Sequence, residues 1–387
     1  MAAYNFDDVT VETLLRRRTL KWSLYGPDVL ALWVAEMDFH TAPPVMEALR
    51  SAVDREEFGY PFEGPDSGMP EALASWQKRR YGWEIDPGGV VMLPDVLKGV
   101  ELALDTFTPA GSPVVVPTPA YMPFFDVLNA LRRPIVEVPA VFDGGLRRLD
   151  LDGISAAFGQ GAASLILCNP HNPLGRSYTK EELAALAEVV DSYGARVVSD
   201  EIHGPLTYPR ARHVPYATVA PVARSHSVTL VSATKGWNLP GLKCAQMILT
   251  NDVDRQRWKA VPSIRSHGAS TLGIRATLAA YREGEEWLDE VLRYLDSNRH
   301  LLKRLLADML PDVGYSVPEA TYLAWLDFRA MNLEGETAQV LRERSRVATN
   351  PGSAFRGDGP GHVRLNFATS KAILSQAVER IADALVG

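Results

Sequence analysis

The sequence predicts an α/β protein: a large unit built on a mostly parallel sheet, joined to a smaller α+β unit. Three observations carry the prediction. Short apolar runs in the middle of the chain show little polar alternation, as strands buried on both faces do. Amphipathic helical patterns separate them. The C-terminal part then changes character, to a long helical stretch followed by isolated strand-like runs. With 387 residues the chain is too long for one ordinary core and about right for two.

The apolar runs at 114–117, 164–168, 196–199, 228–231 and 245–250 are the candidate strands. Between the second and third, residues 180–193 read as a helix. Thr179 and Glu182 form a capping-box pair at its start and Gly194 stops it. A strand, a helix and a strand at this spacing form a parallel pair. Beyond about residue 285 come a helix to about 310, a strand-like run at 321–328 and a helix near 337–346. A strand at 362–368 and a closing helix at 371–386 follow. The expected division is therefore 43–285 for the large domain, with 1–42 and 286–387 forming the small one.

Composition excludes several classes. Hydrophobic residues make up 46% and charged residues 22%, so a large core is available and disorder is not expected. A net charge of -7 argues against a nucleic-acid partner, which calls for a basic face. Two cysteines, Cys168 and Cys244, support neither a disulfide framework nor a zinc cluster, so no metal is expected, and they read as buried apolar filler. Low cysteine use fits a reducing compartment. No run resembles a signal peptide or a membrane span, so a cytoplasmic protein without a membrane partner is expected.

The chemistry sits in three runs. Asn169, Asp200 and Lys235 each follow an apolar strand candidate, separated by 31 and 35 residues, about one strand–helix repeat each. A parallel sheet brings all three to its carboxyl edge, where open α/β sheets bind ligands. Lys235, in Ser232-Ala-Thr-Lys235-Gly-Trp-Asn-Leu-Pro-Gly241-Leu242-Lys243, can be desolvated there. Desolvation frees its amine as a nucleophile toward carbonyls. Ser232 and Lys243 can hold a phosphate. The turn Cys168-Asn169-Pro170-His171-Asn172-Pro173 offers amides to a phenolic oxygen without adding charge. Asp200, in Ser199-Asp200-Glu201-Ile202-His203, can keep a pyridine nitrogen protonated.

These runs, in this order, resemble the class I/II aminotransferase family of fold-type I pyridoxal 5′-phosphate (PLP) enzymes, from about Asn5 to Val386. The resemblance implies Lys235 as the Schiff-base lysine, Asp200 as partner of the pyridine nitrogen and Asn172 as donor to the ring's O3′. Ser232 and Lys243 match phosphate-binding positions, and Tyr121 matches the aromatic that stacks on the ring. Arg364, in Val363-Arg364-Leu-Asn-Phe-Ala, matches the arginine that forks onto the substrate α-carboxylate. Val96 and Leu97 match backbone phosphate donors at a helix N-terminus. The family has glycine where this chain has Asp95, which is expected to cap that helix and point away. Tyr60, in Phe58-Gly59-Tyr60, matches a tyrosine that reaches the partner subunit's cofactor in a homodimer.

Three further features resemble the cystathionine β-lyase/C–S lyase branch. They are Leu32-Trp33-Val34-Ala35-Glu36-Met37-Asp38-Phe39, His203 three residues after Asp200, and Trp237-Asn238-Leu239 after the lysine. The first run often has aspartate where this chain has Glu36. The branch implies α,β-elimination from cystathionine or another cysteine S-conjugate, with Lys235 taking the Cα proton. A thiol, pyruvate and ammonia are the products. The same residues support transamination, the main alternative, and a regulatory binding protein on this fold is a further one. Trp33 and Asn169 are candidate substrate contacts, Trp33 with interface packing as its alternative. His203 is either a cofactor contact or a structural histidine, Tyr121 either a stacking partner or plain core, and His171 is expected to hold backbone.

Overall fold

The computed structural model describes residues 4–62, 64–143 and 145–386; the first three residues of the polar N-terminal stretch lie outside it. Its centre is a seven-stranded sheet. In chain order the strands are β1 (Val90–Leu93), β2 (Val114–Thr118), β3 (Ile135–Pro139), β4 (Ser164–Cys168), β5 (Arg196–Asp200), β6 (Ser227–Val231) and β7 (Ala245–Leu249). Their spatial order is β1-β7-β6-β5-β4-β2-β3. Strands β2 through β6 pair in parallel. Strand β7 runs antiparallel to both β6 and β1. The link from β6 to β7 carries only two short helical turns, Ala233–Gly236 and Pro240–Leu242, and no full crossover helix, so the chain returns in the opposite direction.

The apolar runs sit where full burial demands them: every residue of β2, β4, β6 and β7 is buried. Strand β1 was not among the candidate runs, and neither was β3. Strand β3 is an edge strand, carries Glu137, and is mostly half-buried or exposed, so it lacks the signature of a central strand. Separate apolar clusters pack on the sheet, one around Val100, Leu104 and Phe124, the other around Ile154, Leu183 and Leu186.

The helix between β4 and β5 runs Lys180–Ser192. Its capping box is formed: the Thr179 hydroxyl accepts from Glu182 N at 3.2 Å, and Glu182 accepts from Thr179 N at 2.8 Å. Gly194 ends it in the left-handed region at φ 60°.

After the 25-residue helix Glu285–Met309 comes a four-stranded antiparallel sheet. In it Leu323–Asp327 pairs with His362–Asn366, which also pairs with Asn350–Pro351. The closing helix is Lys371–Leu385. The N-terminal segment joins this part, since Leu30–Ala31 pairs in parallel with Val347–Ala348. Phe6 and Phe39 also pack on Tyr294, at 5.3 Å between ring centres in each case. Among the described residues no helix is long and apolar enough to cross a membrane.

Candidate active site

The carboxyl ends of β4, β5 and β6 open onto a cavity of about 190 Å³, lined among others by Tyr121, Asn172, Asp200, His203, Lys235 and Lys243. Asp200 is the last residue of β5 and is buried. Its carboxylate accepts the Ile202 amide at 3.1 Å and has no ion-pair partner among the described residues. Burial, with Glu201 beside it, pushes its carboxyl up to about 7. A cation placed against it would hold it ionised. Beneath it the buried Glu201 accepts from Ser199 Oγ at 2.8 Å and Tyr216 N at 2.9 Å, and meets His213 Nε2 at 2.9 Å.

Lys235 lies in the single turn Ala233–Gly236 after β6. That turn is anchored by Trp237, whose indole packs edge-on to Trp76 at 5.1 Å and donates to Gly284 O at 2.8 Å. Burial lowers the Lys235 amine to about 8, Arg364 adding to the effect while Glu36 and Asp200 oppose it. Its Nζ donates to Ala35 O at 2.8 Å. Tyr322 Oη donates to the same carbonyl at 3.0 Å. The strap 33–37 thus lies against the lysine. Asn366 Nδ2 fixes it by donating to Val34 O at 2.7 Å and Glu36 O at 2.6 Å. Asn238 completes the fixation, accepting from Met37 N and donating to Met37 O at 2.8 Å each.

Arg364 is buried, on His362–Asn366. It donates to Asn172 Oδ1 at 2.9 Å and Asn350 Oδ1 at 2.7 Å, and packs over the Phe355 ring at 5.1 Å. Burial lowers its guanidinium to about 10, leaving it charged at neutral pH. Because Asn172 Oδ1 is taken by the arginine, its amide nitrogen remains to face the cavity. Tyr121 meets Phe124 edge-on at 5.5 Å. Burial drives His203 well below the usual histidine range, so it is neutral, and its Nδ1 has no partner among the described residues.

At the far end of the cavity stands the N-terminus of the helix Val96–Phe107. Asp95 caps it, accepting from Lys98 N at 2.8 Å, and it does not point away. Its second oxygen meets Lys243 Nζ at 2.8 Å, and the ion pair offsets the negative charge beside the first-turn amides of Val96 and Leu97. Ser232 does not line the cavity: its hydroxyl donates to Cys244 O at 2.6 Å, and Thr234 lines the wall in its place.

Three other expected positions fall elsewhere. Asn169 lies outside the cavity, because its amide holds backbone: Oδ1 accepts from Tyr178 N at 3.1 Å and Nδ2 donates to Val214 O at 3.3 Å. The Trp33 indole packs on Tyr25 at 5.6 Å and donates to Lys21 O at 3.0 Å. What Trp33 brings to the site is its carbonyl, which accepts from Arg364 at 3.2 Å. Tyr60 is 93% exposed and outside its own chain's cavity. Asn350, which had no sequence signal, holds the arginine; Ala35, noted only as part of the 32–39 run, holds the lysine through its carbonyl, to which Tyr322 also donates. Asn366, two positions after Arg364 on the same strand face, was within reach of the period-two pattern.

An aldehyde-reactive amine, a carboxylate awaiting a cation, a free amide, an aromatic ring and a helix N-terminus with a lysine make up the donor set that PLP requires. Comparison with known proteins points the same way. Residues 27–381 match the family model described as aminotransferase class I and II. The chain is 42% identical to a cystathionine β-lyase of Corynebacterium glutamicum, over 97% of this chain and 99% of that one. It is 34% identical to the cystathionine β-lyase PatB of Bacillus subtilis, over 98% and 100%. The crystal structure of the PLP-bound C–S lyase from Staphylococcus hominis superposes with a TM-score of 0.91 at 28% identity, covering 99% of each chain.

Proposed function

The chain is a member of the class I and II aminotransferase family, and from that membership we propose that it is a PLP-dependent C–S β-lyase acting on cystathionine or another L-cysteine S-conjugate. The observation that carries the choice is the full-length likeness to the corynebacterial cystathionine β-lyase, since the site geometry alone would serve transamination as well.

When bound, PLP supplies an electron-withdrawing ring that stabilises negative charge at the Cα of an amino acid joined to its aldehyde carbon. Lys235, Asn172, Tyr121, His203, Lys243 and the amides of Val96 and Leu97 would hold it, with Ser232 bracing the turn behind Thr234. Asp200 keeps the ring nitrogen protonated. Arg364, held in place by Asn350 and Asn172, receives the substrate α-carboxylate. Lys235 removes the Cα proton, and an amine brought to about 8 is a competent base near neutral pH. The Cα–H electron pair moves toward Cβ, the Cβ–S bond breaks and a thiolate leaves. Hydrolysis of the remaining three-carbon unit gives pyruvate and ammonia.

The working unit is a homodimer in the cytoplasm, in which Tyr60 reaches the partner subunit's phosphate site. Its exposure beside exposed Phe58 and Phe62 supports this. Residues 43–285 form the cofactor-binding domain, and 1–42 with 286–387 the smaller one.

The test is pyruvate release from cystathionine by the cofactor-loaded protein, with Lys235→Ala as control. Pyruvate from the wild type alone is expected. Glutamate formed from 2-oxoglutarate without pyruvate would replace the lyase with an aminotransferase.

A further inference from the structure

A second and larger cavity, about 980 Å³, lies outside the first. Pro240 lines both. The strap that touches Lys235 crosses between them, with Ala35 lining the inner cavity and Glu36 the outer. The inner space of about 190 Å³ is already assigned to the cofactor and the reacting three-carbon unit. The outer cavity, with Glu36 on its wall, is the adjoining space available to whatever hangs from the substrate's sulfur.

The Glu36 backbone is fixed. Its carbonyl accepts from Lys21 Nζ at 3.0 Å and Asn366 Nδ2 at 2.6 Å. Lys21, buried in the outer cavity wall, is itself neutralised by Asp38 at 2.9 Å. The Glu36 carboxylate, by contrast, makes no hydrogen bond or ion pair among the described residues, although it is half-buried. Burial raises its carboxyl above the usual range, with Asp38 adding to the rise and Lys21 and Lys235 opposing it. Such a group is stabilised by a cation arriving from the cavity. Arg50, on the helix Pro43–Asp54, lines the same cavity and is likewise without a hydrogen bond or ion pair among the described residues. A free anion and a free cation on the walls of one cavity are complementary to a zwitterion.

Resting on the lyase reading above, we propose that Glu36 is a specificity-determining residue: it binds the ammonium of a leaving thiol that is itself an amino acid, with Arg50 available to that thiol's carboxylate. The enzyme would then prefer cysteine conjugates with a distal amino-acid head, such as cystathionine, over those with a neutral or purely anionic tail.

The experiment compares kcat/KM for pyruvate release from cystathionine and from S-(3-carboxypropyl)-L-cysteine, which has the same skeleton and carboxylate but no distal ammonium. The wild type should prefer cystathionine, and Glu36→Gln should reduce the preference about tenfold, the scale of one charge-assisted contact. Glu36→Asp, which keeps the charge, should retain most of it and so separates charge from folding. The loss should appear in KM rather than kcat. Equal losses on both substrates, or none on either, would overturn the assignment, because Glu36 would then serve Lys235 or nothing. A wild type that releases pyruvate from neither substrate overturns the lyase reading and this one with it. A wild type that turns over both without preference overturns this one alone.

Discussion

Lys235 and Asp200 are both displaced from their ordinary ionisation by the same cause, burial at the end of a sheet, and in opposite directions. The amine falls to about 8 and the carboxyl rises to about 7. In each case the charged form is penalised. For Lys235 the sign is direct. Below about pH 8 the protonated, unreactive form is the majority, and above it the free amine prevails. Acylation of Lys235 in the cofactor-free protein, followed by peptide mass spectrometry, should therefore rise with a midpoint near pH 8, well below the value of about 10.4 for a solvated lysine. A midpoint at the solvated value would mean that water reaches the amine freely. For Asp200, replacement by asparagine removes the charge but keeps the shape. The expected loss in kcat is about 10²–10³-fold, the range typical of deleting a preorganised electrostatic partner. KM should move less, because on the proposed reading the substrate α-carboxylate is bound by Arg364, which the substitution leaves in place. Steady-state pyruvate release at saturating substrate reads the difference.

The elements place these residues with little slack, and the helix Val96–Phe107 illustrates how. Its N-terminus faces the cavity, and its Gly99 lies so close to β6 that an added Cβ would stand 2.6 Å from Leu230 Cδ2. Leu230 is fully buried, so its side chain can give way only by displacing its packed neighbours. Alanine raises helix propensity by up to about 1 kcal/mol. Overpacking here should outweigh that gain, for a net destabilisation of about 1–2 kcal/mol. Thermal unfolding of Gly99→Ala should show a lower midpoint, and the shifted helix should also weaken PLP binding measured by cofactor absorbance. An unchanged midpoint would show that the helix can slide without penalty.

The same elements explain what the sequence could reveal. Strands buried on both faces announce themselves as apolar runs, and a capped helix by Thr179 and Glu182, so the frame was legible. Strand β3 was not, because an edge strand with Glu137 satisfies no core pattern. Lys235 and Asp200 are singled out by type and spacing and Arg364 by the resemblance of its run, and the fold brings the first two to one cavity with Arg364 bonded to Asn172 on its wall. Ala35 could not be identified in this way, since it acts through its carbonyl and any residue supplies one. Asn169 and Ser232 have the right types for ligand contacts, yet their hydrogen-bonding capacity goes to backbone groups brought near only by the fold.

At the scale of the whole molecule, the aromatics Phe58, Tyr60 and Phe62 stand exposed on one segment of the chain. Tyr60 in particular is 93% exposed. An apolar arm of this kind needs a covering surface, and a second copy related by a twofold axis would cover both arms at once. If Tyr60 completes the partner's site, two inactive variants can repair each other. Lys235→Ala retains Tyr60 but no catalytic amine, whereas Tyr60→Ala retains the amine but lacks the donated tyrosine. In a hybrid dimer one site joins an intact Lys235 to the partner's intact Tyr60, and the other site lacks both. Random reassortment of equal amounts makes half the dimers hybrid, so about a quarter of wild-type activity should return after co-refolding or subunit exchange. Each parent alone should stay near its own low level under the same treatment. A mixture no more active than the average of its parents, with subunit exchange verified by native mass spectrometry, would place the action of Tyr60 within its own chain. Recovery near a quarter would instead make the dimer the smallest complete enzyme. Activity would then fall on dilution below the dissociation constant even while each chain stayed folded.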